Sequence, residues 1–274
     1  MRRPILFVLL LSSGIFAQSL FQRLALDHIN IAVADLETAT ALFNDSLGFA
    51  IKPGRLHENG INNAHLKFKN GTSIEIITAS KPGDDLAAFY QKRISYAQGG
   101  SAAFLCLRLT YSAASDSLLK RFPLNKADLG YAELYSFSLA DPRHPLFFIR
   151  YKKRTSDNPR YLYHWNGAQQ LSAVWVSKRW WQRHFADFGK ISETRHLMID
   201  GKKHAVDVLP LAAGEIWLVD GEMPFSDALQ SPLPGLTISV EDQKQTQQFL
   251  EKKLSGKRVG NPLWVTGTFF LFQE

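Results

Sequence analysis

His28 and Glu75 are the two side chains of this sequence whose types and placement point most directly to chemistry. A neutral imidazole and a carboxylate are suitable ligands for Zn²⁺, Fe²⁺, Mn²⁺ or Ni²⁺. Either can also move a proton, as a general acid or base. Neither suits an apolar core without a partner, because burying an unpaired carboxylate is costly. The plain alternative is that they hydrogen-bond to each other or to backbone. A metal needs three or four protein ligands, and His57, His65 and His164 are the candidates to complete a set. His57 also fits a catalytic acid or base on the polar stretch that carries Gly60 and Asn63. Asn63, His65, Arg150, His164 and Asn166 are the candidate ligand-binding residues. The Arg150 guanidinium suits a carboxylate or phosphate, or a structural pair with Glu75. His164 and Asn166 either line a cleft or brace a connection. Trp180, Trp181, Phe185 and Phe188 read as helix core. Cys106, the single cysteine, lies in an apolar run and reads as packing; it excludes an internal disulfide.

The elements that must position these groups recur along the chain. Four segments each pass from an apolar or alternating run into a helical pattern and back into β runs. The first starts at Leu26–Val33, where alternation puts His28, Asn30 and Ala32 on one face and Ile29, Ile31 and Val33 on the other. Asp35 is placed to cap the following helix and Gly48 to close it. Strands are predicted over Ala64–Phe68 and Ser73–Thr78, around the hairpin signal Asn70-Gly71. The second segment starts at Ala102–Leu109, with a helix over Ser112–Phe122 and strands near Ala132–Leu139 and Leu146–Tyr151. The third starts at Leu171–Val176 and closes near Ala205–Leu209 and Glu215–Val219. The fourth starts at Leu236–Val240, runs through a helix ended by Gly256, and closes at Leu263–Val265 and Thr268–Phe272. Thr155–Gln169 breaks the rhythm and reads as the connection between two pairs of segments. The predicted class is α+β, with paired units forming curved sheets around a cleft.

At this point a family resemblance becomes specific. The motifs are Asp27-His28-Ile29, Ala32-Val33, Asp35-Leu36-Glu37, Leu47-Gly48-Phe49, His57, Gly60, Asn63 and Asn70 to Ile76. Together they resemble the glyoxalase-like members of the vicinal oxygen chelate superfamily, and His164 to Ala168 resembles a signature between the two halves of such proteins. The resemblance implies βαβββ modules paired into a cup: an N-terminal pair over residues 26–154, a connection over 155–169, and a degenerate pair over 170–274. It implies a small-molecule ligand in the N-terminal cup and a divalent metal held by His28 and Glu75. Metal-assisted lyase, isomerase or dioxygenase chemistry on an oxygenated substrate then follows; the alternative is a metal-free protein that sequesters its ligand. The later units depart from the pattern. Alignment by helices sets Phe104 opposite His28 and Ile149-Arg150 where a carboxylate is expected. Ala173 with Trp217, and Gly235 with Leu271, fill the two positions in the third and fourth units. Half of a conventional ligand set is therefore absent.

Composition narrows the remaining classes. The chain has 274 residues, 45% hydrophobic and 21% charged, which suits a folded core. Its formal charge of +7 is scattered, with no basic stripe or motif of a nucleic-acid binder. There is no dinucleotide fingerprint, phosphate-binding Walker loop or nucleophile elbow. Residues 1–17 have the grammar of a signal peptide: Arg2-Arg3, an apolar run over Ile5–Leu11, Ser12-Ser13-Gly14 and Ala17. The run is too short for a comfortable membrane span, which takes about 20 residues. No cysteine follows it, as a lipoprotein would need. Cleavage after Ala17 leaves 30 basic against 25 acidic residues, a charge of +5, and implies a secreted or periplasmic protein with no stable membrane span. Expression in a secreting bacterial host should yield a mature chain beginning at Gln18, checked by intact mass; retention of Met1–Ala17 would refute the assignment.

Overall fold

The computed structural model describes residues 23–96, 100–154, 156–186, 188, 191–199, 202–220, 232–254, 260 and 262–274. The expected signal peptide and the helix stop at Gly256 lie outside the described residues. The first unit is β1 (Ala25–Val33), α1 (Leu36–Ala41), β2 (Lys52–Leu56), β3 (Ile61–Lys67) and β4 (Ser73–Ala79). Asp35 caps α1, its Oδ1 accepting the Thr38 N–H at 2.6 Å. A π-helical turn over Leu42–Ser46 carries the helix on to Gly48, whose φ of +77° ends it. The second unit is β5 (Gly100–Arg108), α3 (Ala113–Leu119), β6 (Asn125–Asp128), β7 (Ala132–Ser136) and β8 (Leu146–Tyr151). Between them lies α2 (Asp85–Tyr96), a helix the repeat did not announce. These strands form one eight-stranded sheet in the order β2-β3-β4-β1-β5-β8-β7-β6. β1 and β4 pair in parallel, as do β5 and β8, and the two units join through the antiparallel pair β1–β5.

The second half repeats the scheme as β9 (Ala168–Ser177), α4 (Lys178–Phe185), β10 (Glu193–Ile199), β11 (Lys202–Pro210) and β12 (Glu215–Val219). It continues as β13 (Gly235–Val240), α5 (Gln243–Lys253), β14 (Leu263–Val265) and β15 (Thr268–Gln273). The order of this seven-stranded sheet is β10-β11-β12-β9-β13-β15-β14. The edge strands β2, β6 and β10 were not predicted. All three are largely exposed, so they lack the apolar alternation that betrays a strand.

The sheets do not enclose a cleft between them, as the sequence led us to expect. One face of each packs into a shared core that includes Ile29, Ile31, Phe43, Leu66, Ile76, Phe148, Val174, Leu236, Phe270 and residues of α1, α3, α4 and α5. Amphipathic helices seek apolar cover, and the second sheet supplies it. Backbone ties join the halves: Leu26 N–H donates to the Ala213 carbonyl at 2.8 Å, Leu171 N–H to Thr72 Oγ1 at 3.1 Å, and Ala102 N–H to Thr268 Oγ1 at 2.9 Å. Each sheet turns its other face outward. On the first, α2 lays Ala87 and Tyr90 against Ala32, Ile77 and Phe104.

Phe270 has no exposed surface and meets the Phe43 ring at 5.6 Å in the shared core. Phe270→Ala should therefore cost about 3–5 kcal/mol and lower the urea midpoint of both sheets together, followed by tryptophan fluorescence and far-UV circular dichroism.

Candidate functional site

Asn63, His65 and Lys67 on β3, Ser73 and Glu75 on β4, and His28 and Asn30 on β1 share the outward face of the first sheet. The register aligns His65, Glu75 and Asn30 in one row and Lys67, Ser73 and His28 in the next. Strict alternation would turn Asp27 away from this face, but the β1–β5 ladder slips between Leu26 and His28. The bulge sends Leu26 into the shared core and brings the buried Asp27 round to the His28 imidazole.

Asp27 Oδ1 lies 2.7 Å from His28 Nδ1 and accepts the Tyr151 hydroxyl at 2.9 Å; Asp27 Oδ2 faces Arg108 at 3.4 Å. Burial pushes the Asp27 carboxyl up, but the His28 hydrogen bond and charge, Tyr151 and Arg108 outweigh it and hold it low. An ionised carboxylate can only accept, so Nδ1 carries a proton and His28 Nε2 is the ring nitrogen turned outward. That Nε2 faces Glu75 Oε2 at 3.8 Å, too far for a hydrogen bond.

Glu75 is fixed from two sides. Asn30 Nδ2 donates to Oε2 at 2.7 Å and Asn63 Nδ2 donates to Oε1 at 2.6 Å. Burial pushes its carboxyl up, while His28, His65, the Asn63 amide and Lys67 more than reverse this and keep it ionised. The Asn30 bond orients its amide, so Asn30 Oδ1 points the other way, and that buried oxygen has no hydrogen-bond partner among the described residues. Burial holds His65 down to about 4, against the pull of Glu75, so it is neutral near pH 7.

The remaining predicted residues separate. His57 forms the β2–β3 turn through its backbone, its N–H donating to the Ile61 carbonyl at 2.7 Å, and its half-buried ring meets no hydrogen-bond partner among the described residues. Arg150 is a correction. It projects to the helix side of β8, where Glu133 and Asp116 accept from it at 3.0 and 2.6 Å, and it pairs with neither Glu75 nor the outward face. Across the β1–β5 ladder Cys106 lies opposite His28 and Phe104 opposite Asn30, and on β8 Phe147 pairs with Cys106 and Ile149 with Arg108. Of the two readings of His164 and Asn166, lining a cleft or bracing a connection, their contacts are those of bracing. His164 Nδ1 accepts the Ala50 N–H at 3.0 Å and Nε2 donates to the Lys67 carbonyl at 3.0 Å. Asn166 Nδ2 donates to the Leu47 carbonyl at 2.7 Å, and its Oδ1 accepts the Ala168 N–H at 3.0 Å.

Asp27, Asn30, Lys67 and Tyr151 were missed as site residues. For Asn30 the signal was in the alternation already read; for Asp27 only the bulge reveals it. Asp27, His28 and Cys106 bring potential ligand atoms within 4.8 Å of one another, a spacing that could hold a metal. The donor chemistry favours the Glu75 side. Asp27 already accepts the Nδ1 proton, and burial pushes the Cys106 thiol well up, so it stays protonated. His28 Nε2 and the Glu75 carboxylate, 3.8 Å apart, are an imidazole nitrogen and an oxygen of the types that hold a cation. The Asp27–His28–donor arrangement is the outer-shell carboxylate support that metal-binding histidines use.

Burial lowers His164 from 6.5 to about 4, partly offset by its bond to the Lys67 carbonyl. Between those values the unfolded chain binds a proton that the folded chain refuses, so stability must fall as the pH falls through that window. Urea unfolding from pH 7 to 4.5 should show this loss, with a shallower slope in His164→Gln.

Comparison with known proteins gives the fold. The glyoxalase-like domain family matches residues 26–183, more than half of the chain. No curated protein matches it significantly by sequence. Among solved structures, a hypothetical protein from Staphylococcus aureus superposes with a TM-score of 0.54 at 14% identity, covering 91% of this chain and 99% of that one. A mutant 4-hydroxymandelate synthase from Streptomyces coelicolor gives 0.57 at 13% identity, covering 84% and 74%. A xylose isomerase-like TIM barrel/4-hydroxyphenylpyruvate dioxygenase fusion protein gives 0.51 at 12% identity, covering 87% of this chain and 38% of that one.

Proposed function

Since the chain belongs to the glyoxalase-like domain family, we propose that it is an exported protein whose N-terminal cup binds a small oxygenated molecule beside a divalent cation. His28 Nε2 and Glu75 Oε2 would hold the cation. The observation that carries this reading is that His28 Nε2 faces the Glu75 Oε2 oxygen at 3.8 Å with no hydrogen bond between them. Two such groups repel each other unless a proton or a cation lies between them. A divalent cation bound there would polarise adjacent oxygens of a ligand, the basis of metal-assisted lyase, isomerase or dioxygenase chemistry.

The chain's own residues have distinct tasks. Asp27 fixes the His28 tautomer and turns Nε2 into the cup. Asn30 and Asn63 aim the Glu75 carboxylate and keep it from collapsing onto His28. Glu75 is the group placed to take a proton from a bound ligand. Phe104 and Phe147, whose rings lie 6.1 Å apart, wall the site on the β5–β8 side and limit water, with Phe147 edge-on to His28 at 5.4 Å.

A second reading, metal-free sequestration, is favoured by one observation. Cys106, Phe104, Phe147 and Ile149 make the second unit's share of this face apolar, so it supplies no matching ligands. Elemental analysis decides between the two. Untagged protein should hold one equivalent of metal, lost in His28→Ala and Glu75→Ala, and Asp27→Asn should weaken binding about 10–100-fold. A wild-type protein that stays metal-free after incubation with Zn²⁺, Fe²⁺, Mn²⁺ and Ni²⁺ would sink the cation and leave sequestration.

A further inference from the structure

Lys67 is the charged group of the cup that the reading above leaves without a task. It lies on β3 in the row of Ser73 and His28, largely removed from water. The charged groups nearest to it are Asp157, Lys52, Glu75 and Asp27. Each carboxylate among them is committed elsewhere: Asp157 to the Lys52 ammonium, Glu75 to the two asparagine amides, and Asp27 to His28, Tyr151 and Arg108. No carboxylate among the described residues reaches ion-pair distance of Lys67 Nζ. Its nearest polar partner is Ser73 Oγ, at 3.4 Å, on a residue only 4% exposed. A poorly solvated ammonium without a counter-ion is costly, and burial accordingly lowers the Lys67 pKa. Ser73 Oγ receives the ammonium and so keeps its own proton free to donate. A cation and a hydroxyl donor therefore stand side by side, with Ser73 one strand spacing, about 5 Å, and Lys67 two strands from His28.

We propose that Lys67 and Ser73 form an acid-recognition corner, so that the ligand of this cup is a small organic acid whose carboxylate binds there. The inference rests on the cup being a ligand site and deepens that reading by naming the ligand class. The acid supplies the counter-ion that the fold withholds from Lys67, and Ser73 donates to the second carboxylate oxygen. The rest of the molecule then extends along the row towards His28 Nε2.

The test compares acids with their uncharged amides on the full mature protein. Glycolate, lactate and pyruvate are titrated calorimetrically against glycolamide, lactamide and pyruvamide, with and without added metal. The acids should bind at least about tenfold more tightly, the worth of one charged hydrogen-bonded contact. Lys67→Met should erase that preference and Lys67→Arg should keep it, with folding of both checked by circular dichroism. Metal content measured on the same samples separates the two readings. A Lys67-dependent acid preference in protein that binds no metal keeps the corner and removes the cation. Equal binding of acids and amides, no binding of any acid, or a preference that survives Lys67→Met would overturn the assignment; the wild-type comparison stands even if a variant fails to fold.

Discussion

A carboxylate removed from water must be compensated, and the Glu75 side chain, with 17% of its surface exposed, sets that requirement for the first sheet. Compensation comes from β1 and β3, the two strands that flank β4, through Asn30 and Asn63. Both amides reach Glu75 because the ladders hold β3, β4 and β1 in one register. A slip of one residue would turn every one of these side chains into the apolar core. The polar cluster and the sheet register are thus mutually dependent. The same amide that satisfies Glu75 leaves Asn30 Oδ1 without a protein donor among the described residues.

The β1 bulge is the second determinant. Without it Asp27 would enter the shared core and His28 would lose the group that fixes its tautomer. It also explains why the pair β1–β5 is not symmetric in chemistry. Across the pair His28 meets Cys106, a protonated and buried thiol, and the polar cluster belongs to one unit alone.

The second sheet shows what the same architecture becomes without such a cluster. Trp217 stands at the position of Glu75, and its ring lies 6.3 Å from Trp175 at an interplanar angle of 11°. Trp175 in turn lies 6.3 Å from Phe269 at 5°. Trp175 lies over β13 because position 235 is glycine: a Cβ there would come within 2.5 Å of the indole. These buried rings, with Leu197, Val206 and Val208, fill the outward face with apolar matter. Dispersion and apolar burial stabilise it where the first sheet spends its residues on polar contacts.

Much of this was legible in the residues themselves. Alternation in Leu26–Val33 put His28, Asn30 and Ala32 together, the Asn70-Gly71 signal marked the β3–β4 hairpin, and Asp35 and Gly48 bounded α1, because each is a local rule of backbone geometry. The repeated element order likewise came from hydrophobic period alone, apart from the exposed edges β2, β6 and β10 and the helix α2. Contacts between distant segments were decided by the tertiary structure. Sequence could not say that Arg150 pairs with Glu133 and Asp116, that His164 and Asn166 staple backbone at Ala50, Lys67 and Leu47, or that a bulge brings in Asp27. Nor could it reveal that the helices pack between the sheets. Period tells which residues share a face; only long-range packing decides what that face meets, and a one-residue bulge is enough to change the answer.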